Sequence, residues 1–317
     1  MLNQIANAIT ASDNIAILPH MAADGDALGS TFALAMALSI MGKNVSVLLE
    51  EEIPYVYSFL AGNKLSEVYT KMTRHYDAVV AIDCGDIGRL GYRKEVFDSA
   101  EMTANIDHHP TNTGFARYNY LDTDASASGE IIYKLIEILG QKIEKDIATC
   151  LYVAIATDTG CFRYSNTTPL THIIAAELIK SGVDVADVSQ KVFDSASYEK
   201  VRLIGEAIHS LELHENGKIA VMAVSYDLVK KTGAKDEDCD GIINTARNIR
   251  GVEVAAMLRQ WDNGEIKVNL RSNSLMDVSA IASNYSGGGH KKAAGYTTNG
   301  TLEEAKNKLL SDIREVL

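Results

Sequence analysis

Five short apolar runs rich in β-branched residues recur along the first half of the chain: NIAILPH (14–20), NVSVLLE (44–50), DAVVAIDCG (77–85), TANIDHHP (103–110) and YVAIATDTG (152–160). Each is long enough for a buried strand and is bounded by Pro, Gly, Asn or Asp, and the segments between them read as helices. Strands that alternate with helices have room for crossovers and so pair in parallel, with helices covering both faces of the sheet. This is the constraint that governs the chain, and it predicts an α/β fold. The most continuous apolar stretch, ALGSTFALAMALSIMG (27–42), carries Ser and Thr and falls short of the ~20 apolar residues a membrane span needs. It reads as a buried helix ending at Gly42.

Near residue 190 the pattern changes. SASYEKVRLIGEAIHSLELH (195–214) reads as a connecting helix, and NGKIAVMAVSYDLV (216–229) and VEVAAMLRQWDNGEIKVNLRS (252–272) supply strands punctuated by Asn-Gly turns. The expected organisation is a domain over 1–190, a linker helix over 191–215 and a smaller α/β domain with a mixed sheet over 216–317. A chain of 317 residues can bury two such cores. Its formal charge of −12 opposes binding to long duplex DNA or long RNA, which is driven by neutralising phosphates, but leaves room for a small anionic substrate met by cations. The N-terminus lacks an export signal, so the expected location is the cytoplasm. Cys84, Cys150, Cys161 and Cys239 stand far apart without a CxxC pair, the pattern of free thiols rather than of a zinc site or a disulfide framework.

Four of the expected strands end in metal-ligand residue types. HMAADGD offers His20, Asp24 and Asp26; AIDCGD offers Asp83; NIDHHP offers Asp107, His108 and His109; and AIATDTG offers Asp158. In an open parallel sheet the carboxyl ends of the strands line one crevice, which gathers residues more than a hundred positions apart. Several carboxylates in one crevice repel each other and lose solvation, and divalent cations are the natural compensation. A set of Asp and His without thiolate suits manganese, with magnesium or cobalt as alternatives. The ligands are too many for one ion that keeps open positions, so two ions sharing a carboxylate, roughly 3.5–4 Å apart as in phosphoryl hydrolysis, fit the count.

Taken in order, HMAADGDALGS, DCGD, DHH and TDTG, followed by NLRSNSLMDVSAIASNYSGGGHKKAAG, resemble the DHH phosphoesterase superfamily. The resemblance covers nearly the whole chain and is strongest to bacterial NrnA-type oligoribonucleases with a DHH-associated C-terminal domain. It implies that His20, Asp24 and Asp83 hold one metal, that Asp26, Asp83, His108 and Asp158 hold the other, and that Asp83 bridges. Asp107 is then an acid that orients the turn, and His109 faces the substrate phosphate or the leaving oxygen. Arg271, Gly287, Gly288, Gly289 and His290 would bind substrate. TDASASGE (123–130) departs slightly from the family's more usual paired serines, which touches a helix entry and leaves the ligands intact.

The implied activity is hydrolysis of short oligoribonucleotides to nucleoside 5′-monophosphates, with phosphatase activity on 3′-phosphoadenosine 5′-phosphate (pAp). A phosphodiesterase for pApA or cyclic di-AMP is the alternative, followed by a manganese pyrophosphatase and a noncatalytic nucleotide-binding regulator. The resemblance is compatible with a homodimer. Singly, each motif has a plainer reading: His20 as a surface histidine, DGD as a turn before a helix that welcomes acids, GGGH as a flexible loop, Arg271 as a solvated strand residue. Only their combination points to a site. Across 259–292, Arg259, Lys267, Arg271, Lys291 and Lys292 outnumber Asp262, Glu265 and Asp277, so this stretch is basic within an acidic protein.

Overall fold

Hydrophobic runs that are buried over most of their length make strands β1 (Asn14–Pro19), β2 (Asn44–Leu49), β4 (Ala78–Ile82) and β5 (Met102–Asp107), with shorter strands β3 (Ser66–Val68) and β6 (Tyr118–Leu121) at the two edges. The structure is a computed structural model that describes residues 1–71, 74–274 and 276–316. It divides into two compact units, Met1–Ser195 and Ala196–Leu317.

In the first unit all six strands are parallel, in the order β3-β2-β1-β4-β5-β6. The order reverses between β1 and β4, which opens a crevice at their carboxyl ends, as in doubly wound nucleotide-binding folds. Alternate residues of each strand serve opposite faces. Ile15, Ile17, Val80 and Ile106 face a large core under α1 (Leu2–Thr10), α2 (Gly25–Ile40), α4 (Ser128–Ile138), α5 (Lys145–Asp158), α6 (Pro169–Lys180) and α7 (Val185–Val192). Ala16, Leu18, Val79 and Ala81 face a smaller core under α3 (Lys94–Ser99).

One sequence expectation is corrected here. YVAIATDTG is not a strand: residues through Asp158 form the second half of α5. A helix buried almost all round shows the same unbroken apolar run as a buried strand, so periodicity could not separate the two. The helix expected over 27–42 is observed as α2, and Gly42 follows it with φ 81°.

The close crossing of α2 and α5 depends on glycine. A Cβ at Gly25 would stand 2.5 Å from the Thr157 side chain, and one at Gly29 would stand 2.4 Å from the Cys150 carbonyl oxygen. These two glycines, four apart and thus on one face of α2, let the helix that carries Asp26 lie against the helix that ends in Asp158.

In the second unit, α8 (Tyr198–His209) is followed by β7 (Glu212–His214), β8 (Ile219–Val224), α9 (Tyr226–Thr232), α10 (Ile243–Arg247), β9 (Val254–Gln260), β10 (Ile266–Ser272), α11 (Val278–Ser283), β11 (Gly288–His290), β12 (Ala293–Thr298) and α12 (Leu302–Val316). The expected connecting segment 195–214 therefore contains a helix and then an edge strand. The sheet order is β11-β12-β10-β9-β8-β7, mixed because β8 and β9 run parallel and the other pairs antiparallel. One face packs on α11 and α12; on the other, α8, α9 and α10 pack over β8 and β9, and α10 also reaches β10. Among the described residues no helix is long and apolar enough to cross a membrane.

Gly29→Ala should lower the urea midpoint, because forcing the α2–α5 crossing apart costs about 1–3 kcal/mol and outweighs the roughly 1 kcal/mol that alanine gains in intrinsic helix propensity. A midpoint that rises would mean that the crossing yields freely.

Candidate metal centre

His20 leaves the end of β1, Asp83 the end of β4, and Asp107, His108 and His109 the end of β5, so the topology delivers them to one crevice. The entry of α2 adds Asp24 and Asp26, and the last residue of α5 adds Asp158.

Asp83 is the common member. It is buried, and its backbone takes φ 57°, a conformation that strains a non-glycine residue but here coexists with a ladder bond from its N–H to the Ile106 carbonyl at 2.9 Å. One carboxylate oxygen lies 3.6 Å from His20 Nε2; the other lies 3.6 Å from His108 Nε2, 3.5 Å from His109 Nδ1 and 3.0 Å from the Ser128 hydroxyl, which donates to it. Burial opposes ionisation of Asp83, but His20, His109 and His108 together hold its carboxyl below the usual range.

Each imidazole is oriented by its far nitrogen. His108 donates from Nδ1 to the Ala125 carbonyl at 3.2 Å and turns Nε2 to Asp83, to Asp26 at 3.8 Å and to Asp158 at 3.6 Å. His20 Nδ1 lies 2.7 Å from the Met21 carbonyl, and Nε2 faces Asp83 and, at 3.9 Å, Asp24. Fixing the tautomer through one nitrogen so that the other presents a lone pair is how ligand histidines are held. Separations of 3.6–3.9 Å are too long for hydrogen bonds, but they suit donors that share a cation. Three overlapping groups, His20–Asp24–Asp83, Asp26–Asp83–His108 and Asp83–Asp107–His109, bring ligand atoms within 4.8 Å of one another.

The cost of assembling these acids falls on Asp26 and Asp158. Burial, then the charges of Asp83, Asp158 and Asp24, pushes the Asp26 carboxyl well above its ordinary value, even though it accepts the Ser128 and Gly129 N–H groups at 2.7 and 2.9 Å. These two bonds make Asp26 a cap for α4, whose own N-cap, Ala127, offers no side-chain acceptor. Asp158 is pushed up to about 7 by burial, with Asp83 and Asp24 adding to the shift and His108 opposing it. Its place at the C-terminal end of α5 is also the unfavourable end of a helix for an anion. A divalent cation relieves both, so the donor set fits such an ion.

His109 and Asp107 form a separate pair. Asp107 is fully buried; one oxygen accepts from His109 Nδ1 at 2.7 Å and the other from the Asn112 amide at 2.6 Å. Burial opposes a charge on His109, but the bond to Asp107 and the nearby Asp83 raise its pKa to about 9. The imidazole is thus a proton donor at neutral pH.

The sequence reading missed several supporting residues. Arg93, fully buried, donates from Nη1 to the carbonyls of Pro19 and Leu48 at the ends of β1 and β2, and pairs with Glu50 at 3.1 Å. Asn166 donates to the carbonyls of Ser126 and Asp158, joining the entry of α4 to the end of α5. Their partners lie 8 to 74 residues away, so no local signal marks them.

The expected substrate residues lie in the second unit. Arg271, Ala293 and His290 pair in one row across β10, β12 and β11, and Asn269, Gly295 and Gly288 form the row two residues along. Directly opposed residues share a face, so Arg271, Asn269 and His290 border a floor of Ala293, Gly295 and Gly288. Gly287 and Gly289 have an internal reason to be glycine: a Cβ there would stand 2.3 Å from the Gly295 carbonyl oxygen and 2.4 Å from that of Ala293. A Cβ on Gly288 would meet only open space.

A parallel sheet with an Asp/His centre at its reversal point, followed by a mixed-sheet unit, defines a two-domain phosphoesterase architecture. Residues 14–155 match the DHH family, N-terminal domain, and residues 216–317 match the DHHA1 domain; the chain belongs to the DHH family. It is 33% identical, over 96% of its length and 90% of the relative's, to the bifunctional oligoribonuclease and PAP phosphatase NrnA of Thermus thermophilus. With the Bacillus subtilis protein of the same name it shares 27% identity over 99% of this chain and 97% of that one. A crystal structure of an exopolyphosphatase-related protein from Bacteroides fragilis superposes with a TM-score of 0.91 at 27% identity, covering 98% of this chain and 94% of the other.

Asp158→Asn should stabilise the protein in EDTA and destabilise it relative to wild type when manganese is added. The folded pKa of about 7 lies above the unfolded value, so without metal the ionised carboxylate penalises folding fully above pH 7, and the penalty disappears as the pH falls through about 4. Thermal melts in EDTA should show the Asn variant ahead at pH 8, by about 2–4 °C for each kcal/mol relieved, and level with wild type near pH 3.5. Equal melting points at pH 8 would refute the electrostatic cost assigned to Asp158.

Proposed function

We propose that this protein is a metal-dependent phosphoesterase that hydrolyses short oligoribonucleotides to nucleoside 5′-monophosphates in the cytoplasm and also removes the 3′-phosphate of pAp. The observation that carries this reading is Asp83, a single buried carboxylate that faces three histidines and is shared by three of the ligand groups among the described residues. The names of relatives matched over nearly the whole chain point to the same substrates.

In this reading His20, Asp24 and Asp83 hold one divalent ion, Asp26, Asp83, His108 and Asp158 hold the other, and manganese is the first choice for a thiolate-free set. Such ions supply Lewis acidity and neutralise charge on the phosphate. His109, held by Asp107 and protonated at neutral pH, gives its proton to the departing ribose oxygen, and Asn112 keeps the Asp107 carboxylate in place. The chemistry belongs to residues 1–190, residues 191–215 connect, and residues 216–317 anchor the substrate. There Arg271 offers a planar fork for a second phosphate, His290 stands across Ala293 from it, and the glycine floor admits a flat base or an anion. Oligonucleotides and pAp both carry a scissile phosphate and a second phosphate.

With manganese, initial rates on pAp, pApA, cyclic di-AMP, pyrophosphate and 5′-phosphorylated RNAs of graded length should be highest for the shortest RNAs and substantial for pAp. A marked preference for pyrophosphate would overturn the reading. Asp83→Ala should abolish turnover of all of them with the fold intact by circular dichroism, whereas Asp107→Ala should cost roughly tenfold to a hundredfold, as loss of a support commonly does.

Arg271→Ala should lower kcat/KM on pApA by about tenfold to a hundredfold, the loss of one charge-assisted contact. Bis-p-nitrophenyl phosphate, which has no second phosphate, should be hydrolysed at the wild-type rate. Equal losses on the two substrates would place Arg271 outside substrate anchoring.

A further inference from the structure

We propose that Arg89 is a phosphate-binding residue of the metal centre, its guanidinium meeting a non-bridging oxygen of the scissile phosphate. This deepens the proposed function and rests on its assignment of His20 as a metal ligand through Nε2.

Arg89 sits in the short 3₁₀ segment Ile87–Arg93 that follows Asp83. Its backbone is clamped on both sides: the N–H donates to the Asp86 carbonyl at 3.0 Å, and the carbonyl accepts from Met21 N–H at 2.8 Å, beside His20. The preceding Gly88 N–H is held by the Asp86 carboxylate at 2.7 Å. The side chain, by contrast, is exposed and has no carboxylate in ion-pair range among the described residues, whereas Arg93 pairs with Glu50 and Arg74 with Glu67. Its side-chain neighbour is an imidazole rather than an acid: Nη2 lies 2.9 Å from His20 Nδ1.

That nitrogen cannot serve both of its neighbours. The Met21 carbonyl, 2.7 Å away, needs Nδ1 to carry a hydrogen, whereas the guanidinium needs Nδ1 to be bare. If Nδ1 is bare, the neutral ring keeps its proton on Nε2, the atom that faces Asp83 and Asp24, and cannot offer a lone pair there. Use of Nε2 as a ligand therefore selects the tautomer that donates to Met21 and leaves the Arg89 N–H groups opposed to another N–H. Among the described residues the guanidinium then has no protein acceptor, while its backbone stays fixed at the rim of the centre. A phosphate oxygen supplies the acceptor, and the planar fork can give it two parallel charge-assisted bonds, most valuable as charge builds on the equatorial oxygens during transfer. The ligand class is a phosphate monoester or diester, or inorganic phosphate itself.

The test uses the full chain with Arg89→Gln, Arg89→Lys and His20→Ala. Manganese affinity is measured by calorimetry, the inhibition constant of inorganic phosphate by competition, and kcat and KM on pApA and bis-p-nitrophenyl phosphate. Arg89→Gln should leave manganese affinity at the wild-type value, weaken phosphate inhibition, and lower kcat/KM on both substrates by a common factor of about ten to a hundred, unlike a change at Arg271. Arg89→Lys should recover part of the loss, since it restores the charge without the fork. Phosphate inhibition unchanged in Arg89→Gln, or manganese affinity falling more than phosphate affinity, would overturn the inference, the second result showing that Arg89 serves His20 instead. His20→Ala should bind manganese more weakly; wild-type affinity there would overturn the ligand assignment itself and this inference with it. A failure of the arginine variants alone would leave that assignment standing.

Discussion

Five aspartates, Asp24, Asp26, Asp83, Asp107 and Asp158, converge at the carboxyl ends of one parallel sheet, and the fold around them is organised to bear their mutual repulsion. Asp83 is kept ionised by three imidazoles. The capping donors of α4 hold Asp26, and His109 with Asn112 saturates Asp107. What these partners leave uncompensated shows as the raised pKa values of Asp26 and Asp158. The chemistry and the strain of the centre have the same origin, because a site built to concentrate positive ions must first concentrate negative side chains.

Holding that arrangement requires rigidity from several directions. The sheet fixes Asp83 and the DHH triplet through adjacent ladders, with the positive φ of Asp83 locked by its own N–H bond to Ile106. Three helix ends supply the rest: α2 brings Asp24 and Asp26, α4 brings Ser128, and α5 brings Asp158. Gly25 and Gly29 let α2 press on α5, and a Cβ on Gly129 of α4 would stand 2.8 Å from the Ala154 Cβ of α5. Close helix packing therefore sets carboxylate spacing, so that a methyl group added far from any ligand atom is felt at the centre.

The second unit solves a different problem, the presentation of a shallow polar surface. Alternation along β10 buries Ile266, Val268 and Leu270 against α11 and α12 and turns Lys267, Asn269 and Arg271, each half-buried, to the other side of the sheet. Small residues opposite them keep this face flat. The glycine run serves two purposes in one segment: Gly287 and Gly289 allow β11 to approach β12, and Gly288 leaves the surface open.

The sequence by itself determined the parallel strands that carry His20, Asp83 and the DHH triplet, because a strand buried on both faces must be apolar throughout and is bounded by residues that cannot extend it. It also supplied the candidate ligand types, since the chemistry of Asp and His is local. It could not decide that Asp158 ends a helix, because burial on every side erases the period that separates helix from strand. Nor could it show β3 and β6, whose three and four residues carry too little pattern. Only the tertiary structure decided that Asp26 caps α4 across 102 residues, that Asn112 steadies Asp107, that Arg93 ties the ends of β1 and β2, and that Arg89 stands against His20 across 69. All of these except the Asn112–Asp107 bond join groups far apart in the chain, and in each the partner is chosen by packing geometry rather than by a pattern in neighbouring residues.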